Sequence, residues 1–301
     1  MSVPAAFAFV LLLMALGRAL AWRRLVPDSA PDALNMVVLY VCMPASILLQ
    51  VPKLQLAAST FAVALAPWLL LALSTLIVLT AARFLRLQRS DTAVLLLETP
   101  LGNTSFLGYA LIPVLASPDA MPFAVLYDQF GSFLILSTFG LTVIAVYSGG
   151  ERPTPAAVAK RVLRFPPFLA LVFALTVMPA DPPAEITKML QQVASAMLPM
   201  VGIALGMQLK LRLPRAQLLP LGLGLAGKLL LMPALALGVC AALGLEGDAR
   251  AAVVLESAMP PMITAAALAA MARLSPELGA ALVGYGVVLS MATLPAWRAL
   301  I

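Results

Sequence analysis

The sequence predicts an all-helical membrane protein of about ten transmembrane helices, arranged as two five-helix repeats of opposite orientation. Three observations lead there. Of the 301 residues 62% are hydrophobic and 11% charged, with a mean hydropathy of +1.03. A soluble domain carries about a quarter charged residues, so this chain could not cover a water-facing surface. Apolar runs of about 20 residues, the length that crosses a bilayer, recur from end to end. Helix breakers and acidic residues recur at corresponding places in the two halves. Helices are expected rather than a barrel because runs such as residues 68–82 lack the in–out alternation of barrel strands.

The spans follow in order. Span one (4–22) has no basic stretch before it and no cleavage site, and reads as a retained first helix. Span two (33–51) contains Leu34-Asn35-Met36-Val37-Val38-Leu39-Tyr40-Val41-Cys42-Met43-Pro44-Ala45, a polar start and one mid-helix proline followed by small residues. Span three is 57–82. Span four (91–115) opens at Asp91, reaches Glu98 and breaks at Pro100; span five (121–147) carries Asp128. The connection 148–164 is the most polar, with Gly149, Gly150, Glu151, Pro153 and Pro155, and it separates a first repeat (1–147) from a second (165–301). Span six is 163–179. Span seven (186–209) repeats the pattern of span two, with a polar Gln191-Gln192 start and Pro199. Span eight (215–243) carries Lys228. Span nine (249–273) is entered at Asp248, reaches Glu256 and breaks at Pro260-Pro261, so it matches span four; span ten is 277–298. The acid-to-acid separations are 7 residues (Asp91 to Glu98) and 8 (Asp248 to Glu256). Breakers and acids repeated in corresponding spans are the pattern expected of inverted-repeat transporters.

Charge sets the orientation. The net charge of +6 and pI near 9.7 do not point to nucleic acid, because the cations cluster between apolar spans. Connections after odd-numbered spans hold Arg18, Arg23, Arg24, Arg83, Arg86, Arg89, Arg152, Lys160, Arg161, Arg164, Lys210, Arg212, Arg215 and Arg273, 14 in all. The opposite side holds 4: Lys53, Lys188, Arg250 and Arg298. Both termini are therefore expected outside (periplasmic) and the central loop in the cytoplasm, in a multi-pass protein of the inner membrane.

Enzyme chemistry finds little support. The chain has no histidine, which excludes Ser-His-Asp catalysis and HExxH zinc sites. Cys42 and Cys240 lie inside apolar spans and read as packing residues. Tyr127-Asp128 resembles half of an intramembrane aspartyl protease dyad, but no Gly-x-Gly-Asp supplies the other half.

The residues that invite chemistry are those a bilayer tolerates poorly. Pro100, Gly102, Asn103, Thr104, Ser105 and Gly108 stack at membrane depth, too many breakers for a continuous helix. A broken helix presents a half-helix N-terminus suited to an anion, and Pro260-Pro261 would do the same in span nine. Asn103, Thr104 and Ser105 add neutral donors and acceptors, for substrate or for the freed backbone. Glu98, Asp128, Lys228 and Glu256 fall within spans, where a charge costs about 3 kcal/mol and faces a cavity or a partner. Glu98 and Glu256 suit a coupling cation or proton. Lys228 suits a neighbouring acid or a carboxylate substrate. Asp128 joins them or lies solvated near the membrane surface. A structural ion-pair network is the alternative for the whole set.

On the residues quoted in span two, on Gly102-Asn103-Thr104-Ser105-Phe106-Leu107-Gly108 and on Ala258-Met259-Pro260-Pro261, the chain resembles the auxin efflux carrier family. That group holds plant auxin exporters and bacterial malonate or organic-acid permeases. The resemblance implies an elevator-like transporter with two crossed broken helices, Pro100 and Pro260 at the crossing and Asn103 beside the substrate. It also implies termini outside, the orientation the charge count reached independently. The short central loop departs from many plant carriers and points to a permease. The expected function is transport of a small organic anion, a carboxylate, with Na+ or H+ as coupling ion and no cofactor. The expected partners are that anion, the lipid bilayer and, as an open option, a second copy in a homodimer; nucleic acid is not among them. Bile-acid sodium symporters share the layout, and Glu256 resembles their sodium-site glutamate, but their bacterial members have the opposite orientation. A cation/proton antiporter and a non-transporting membrane sensor are the other readings.

Overall fold

Proline and glycine dictate where this chain stops being a plain α-helix. The computed structural model describes residues 3–53, 58–149, 154–209 and 217–301. In chain order its helices are α1 (Val3–Trp22), α2 (Ala30–Gln50), α3 (Ala58–Phe84), α4 (Arg89–Glu98), α5 (Thr104–Leu115) and α6 (Pro118–Ser148). After the polar connection come α7 (Pro155–Val162), α8 (Pro166–Thr176), α9 (Ala184–Gln208), α10 (Leu218–Leu243), α11 (Gly247–Ala258), α12 (Ile263–Met271) and α13 (Pro276–Arg298). Six of these (α2, α3, α6, α9, α10 and α13) are long and apolar enough to cross a membrane, and Ala8–Trp22, Thr104–Leu115 and Pro166–Thr176 are shorter apolar helices. Large apolar side chains point outward, among them Leu12 (64% exposed), Leu76 (66%) and Met271 (82%). Such a surface suits lipid and not water.

Local sequence explains the irregularities. Pro44 cannot donate to the helix ladder, and the turn before it, Val38–Cys42, widens to a π-turn that absorbs the mismatch. Pro199 acts differently: α9 is interrupted at Ala196, and its second part runs Met197–Gln208. The connection 148–164, expected to be a loop, contains α7. Thr154 caps it by accepting from the Ala157 N–H at 3.2 Å, and Pro155 opens it, a standard helix start. Residues 150–153 of that connection, and Arg152, Lys210, Arg212 and Arg215 of the orientation count, lie outside the described residues.

Packing gathers the helices into two groups. α1, α2, α8 and α9 pack on one another, and α3, α6, α10 and α13 surround the two broken helices, α4–α5 and α11–α12. Within the first group α1 and α9 approach closely because Gly17, Gly202 and Gly206 carry no side chain. A Cβ on Gly206 would sit 2.7 Å from the Met14 carbonyl carbon. This is small-residue packing of membrane helices. An apolar core of Val10, Met14, Val38, Cys42, Leu107, Leu111, Met121 and Leu205 joins the groups.

Candidate functional site: the crossing of two broken helices

The chain leaves the helix after Glu98 and re-enters it at Thr104, and it leaves again after Ala258 and re-enters at Ile263. The two extended pieces cross as an isolated antiparallel bridge between Gly102 and Pro261. The Asn103 N–H donates to Pro260 O at 2.7 Å, and the Met262 N–H donates to Leu101 O at 3.2 Å. These two bonds satisfy backbone that lipid could not, which is why unwound chain is tolerated here. Each break thus supplies the partner of the other. Asn103 caps α5, its Oδ1 accepting from the Leu107 N–H at 3.4 Å, while its Nδ2 is buried without a partner.

Every intramembrane ionisable residue singled out from the sequence converges on this crossing. Glu98 (1% exposed), Glu256 (0%), Lys228 (0%) and Asp128 (0%) are buried. Glu98 ends α4 and Glu256 lies in the last turn of α11, the negative ends of the two half-helices. Among the described residues both carboxylate oxygens of each glutamate lack a hydrogen-bond partner. The Glu256 carboxylate lies over Gly108; a Cβ there would be 2.6 Å from its Oε1 and would push the carboxylate aside. Lys228 Nζ lies 3.5 Å from Pro100 O and 2.9 Å from where a Gly102 Cβ would stand. It is in electrostatic reach of Glu98 and of Glu256. Buried polar groups are normally paired, and these carboxylates find no hydrogen-bond partner within the described residues.

Of the two positions left open for Asp128, the structure shows the buried one. Its side chain accepts four hydrogen bonds: Thr104 Oγ1 (2.5 Å) and Ser105 Oγ (2.6 Å) on one oxygen, Tyr109 Oη (3.1 Å) and Gln129 Nε2 (2.7 Å) on the other. Asp128 sits in a π-turn, Tyr127–Ser132, whose widened period changes the angular position of its side chain from that of a plain helix. Thr104 and Ser105 thus spend their hydroxyl protons on Asp128, and they face a carboxylate rather than an open cavity. Tyr109 and Gln129 were not singled out from the sequence. Gln129, a polar residue deep in an apolar span, was visible by the criterion that flagged Asp128.

Two π-turns carry the charged residues, Tyr127–Ser132 for Asp128 and Gly227–Leu231 for Lys228. Each is tied to a neighbour by an indole: Trp68 Nε1 donates to Phe130 O at 2.9 Å, and Trp297 Nε1 donates to Leu229 O at 2.8 Å. The outer ends of the broken helices are tied as well. Ser275, before α13, donates to Asp91 at the start of α4 (2.5 Å), and Ser117, after α5, donates to Asp248 at the start of α11 (2.7 Å).

A model of one family, described as membrane transport protein, matches residues 2–298. The chain belongs to that family, the auxin efflux carriers it resembled by motif. Among its relatives is an uncharacterized transporter of Methanothermobacter thermautotrophicus, 28% identical over 295 residues, covering 96% of this chain and 95% of the relative. Another, an uncharacterized transporter of Methanocaldococcus jannaschii, is 22% identical over 287 residues, covering 91% and 90%. The family member described here is an integral membrane protein whose buried polar residues gather where its two broken helices meet.

Proposed function

We propose that this protein is a secondary transporter that moves a small organic anion, a carboxylate, across the cytoplasmic membrane by alternating access. The observation that carries the proposal is the crossing itself: two interrupted helices bonded back to back, with Glu98 and Glu256 buried beside them and unpaired. Discontinuous helices that bring half-helix ends to mid-membrane are how transporters of this architecture hold substrate and coupling ion. The α5 N-terminus, Asn103 with its free Nδ2, and the Pro100 and Pro260-Pro261 backbone face the anion. Glu98 and Glu256 take the coupling ion, Na+ or H+. Asp128 holds the α5 N-terminal turn through Thr104 and Ser105.

An inverted repeat fits the pairing of features. The six long apolar helices fall at the second, third and fifth positions of each predicted five. The bonds Asn103 to Pro260 and Met262 to Leu101 exchange under one offset of 159 residues, since 262 − 103 and 260 − 101 are equal. The Asp91–Ser275 and Asp248–Ser117 bonds exchange the same way to within two residues. The two packing groups suit an elevator, in which the group holding the crossing slides along α1, α2, α8 and α9. Between them lies a cavity of about 260 Å³ lined by Ser46, Gln50, Tyr109, Gln191 and Ser195. Leu49, Pro113, Met197 and Leu198 line it too, so its walls mix apolar side chains with a few neutral polar ones, and its modest volume suits a small cargo. Termini outside and a cytoplasmic central loop complete the proposal.

Uptake of labelled mono- and dicarboxylates into proteoliposomes tests it, with Asn103→Ala and Glu256→Gln as variants. Both are expected to fold and to lose at least about tenfold in initial rate, equivalent to about 1.4 kcal/mol. Normal transport by both folded variants refutes the site.

A further inference from the structure

Lys228 stands where the notion of a substrate clamp does not put it. An anionic cargo is drawn to half-helix N-termini, but the ammonium lies at the C-terminal ends of α4 and α11. Pro100 O, just past the end of α4, is 3.5 Å away. The Cβ position of Gly102 is 2.9 Å from Nζ and 3.3 Å from Glu256 O, a carbonyl of the last turn of α11, so both carbonyl ends crowd the same spot. Each half-helix end carries roughly half a negative charge. Each also carries a buried glutamate, the wrong charge for that end of a helix; Glu256 has no hydrogen-bond donor, and Glu98 has near it only the Met262 N–H, which is bonded to Leu101 O. Two carboxylates and two negative dipole ends in a bilayer demand a cation. The one whose position the structure describes there is the ammonium of Lys228, fully buried on a widened turn of α10 that the Trp297 indole fixes in place.

We propose that Lys228 is a resident counter-cation, a tethered ammonium occupying the position between the two half-helix C-termini where an alkali ion would otherwise bind. Three features agree. The ammonium meets a carbonyl oxygen, Pro100 O, with the Glu256 carbonyl beside it and the Glu98 and Glu256 carboxylates within electrostatic reach, and oxygen donors are what hard cations take. Gly102 leaves the room that the ammonium fills. Under the 159-residue offset, Lys228 maps to Leu69, which bears no charge; the feature is one-sided, as a substitute for a single ion would be. The consequence is that the protein needs no sodium or other alkali ion to hold its crossing together. The coupling left to Glu98 and Glu256 is then by proton, or absent. This narrows the transport reading but is tested without substrate, so the two fail separately.

Thermal unfolding of the purified protein, followed by tryptophan fluorescence, supplies the test in sodium, lithium, potassium or choline chloride at equal ionic strength. The wild-type midpoint is expected to be the same in all four salts. Lys228→Met is expected to unfold several degrees lower in choline and to be raised saturably by at least one alkali ion. A saturable sodium or lithium rise in the wild type overturns the proposal. So does a Lys228→Met protein that equals the wild type in choline, or that no alkali ion raises. If Lys228→Met cannot be purified, Lys228→Met/Glu256→Gln removes one carboxylate with the ammonium and is expected to be recovered folded in choline. Failure to recover it as well assigns the lysine to packing and overturns the proposal.

Discussion

Asp128 offers the sharpest test of how the crossing is held together. Its carboxylate is fully buried and accepts four hydrogen bonds, three of them from α5 (Thr104, Ser105 and Tyr109) and one from Gln129. Truncation to alanine removes four hydrogen bonds, although Thr104 keeps a contact to Gly102 O and Gln129 one to the Tyr109 hydroxyl. At about 1 kcal/mol for each, the low end for an unmade buried bond, the cost is about 4 kcal/mol. Asparagine behaves differently. Its Oδ1 keeps the Thr104 and Ser105 bonds, and its Nδ2 can donate to the Tyr109 hydroxyl. The Gln129 amide can rotate to offer its Oε1, which lacks a partner in the native arrangement. Asp128→Asn should therefore cost no more than about 1 kcal/mol. In thermal unfolding at about 2 °C per kcal/mol, the midpoint falls by about 8 °C for alanine and about 2 °C for asparagine. Equal losses for the two variants, or an alanine variant within 2 °C of wild type, would falsify the view that Asp128 anchors the start of α5 through its acceptors.

Other perturbations probe the frame and the topology. Gly206→Ala drives a methyl into the backbone of Met14, which cannot move aside as a flexible side chain could, and is expected to cost about 1–3 kcal/mol by the same assay. Ser117→Ala and Ser275→Ala each remove a hydrogen bond to a carboxylate at the end of a broken helix, and Ser117→Ala also removes the cap on the Ala120 N–H. Each should cost about 1–2 kcal/mol, and the costs should add, since the serines lie at separate ends; strong non-additivity would contradict separate ties. Both native cysteines are buried, so a cysteine introduced at exposed Ala156 or Asp181 can be labelled selectively. Label reaching Asp181→Cys but not Ala156→Cys in intact cells is the expected result, and the reverse pattern inverts the proposed orientation.

Read alone, the sequence already determined the membrane class, the order of the apolar helices and the two places where helices break. These depend on local chemistry: hydrophobicity decides what can enter lipid, and Pro100 and Pro260-Pro261 remove donors wherever the chain is later placed. The buried charges were legible for a similar reason, since Glu98, Asp128, Lys228 and Glu256 interrupt runs that are otherwise apolar. What each of them faces was not legible. The π-turns at Tyr127–Ser132 and Gly227–Leu231 shift the angular position of Asp128 and Lys228, and no 3.6-residue period foretells them. Pairings such as Ser105 with Asp128, or Ser117 with Asp248 across 131 residues, exist only once α5, α6 and α11 are packed together. Tertiary structure alone decided that Lys228 lies at the carbonyl ends of the half-helices. The direction of a half-helix relative to a distant side chain is a property of the crossing, and the crossing is made by two segments about 159 residues apart bonding to each other in the absence of water.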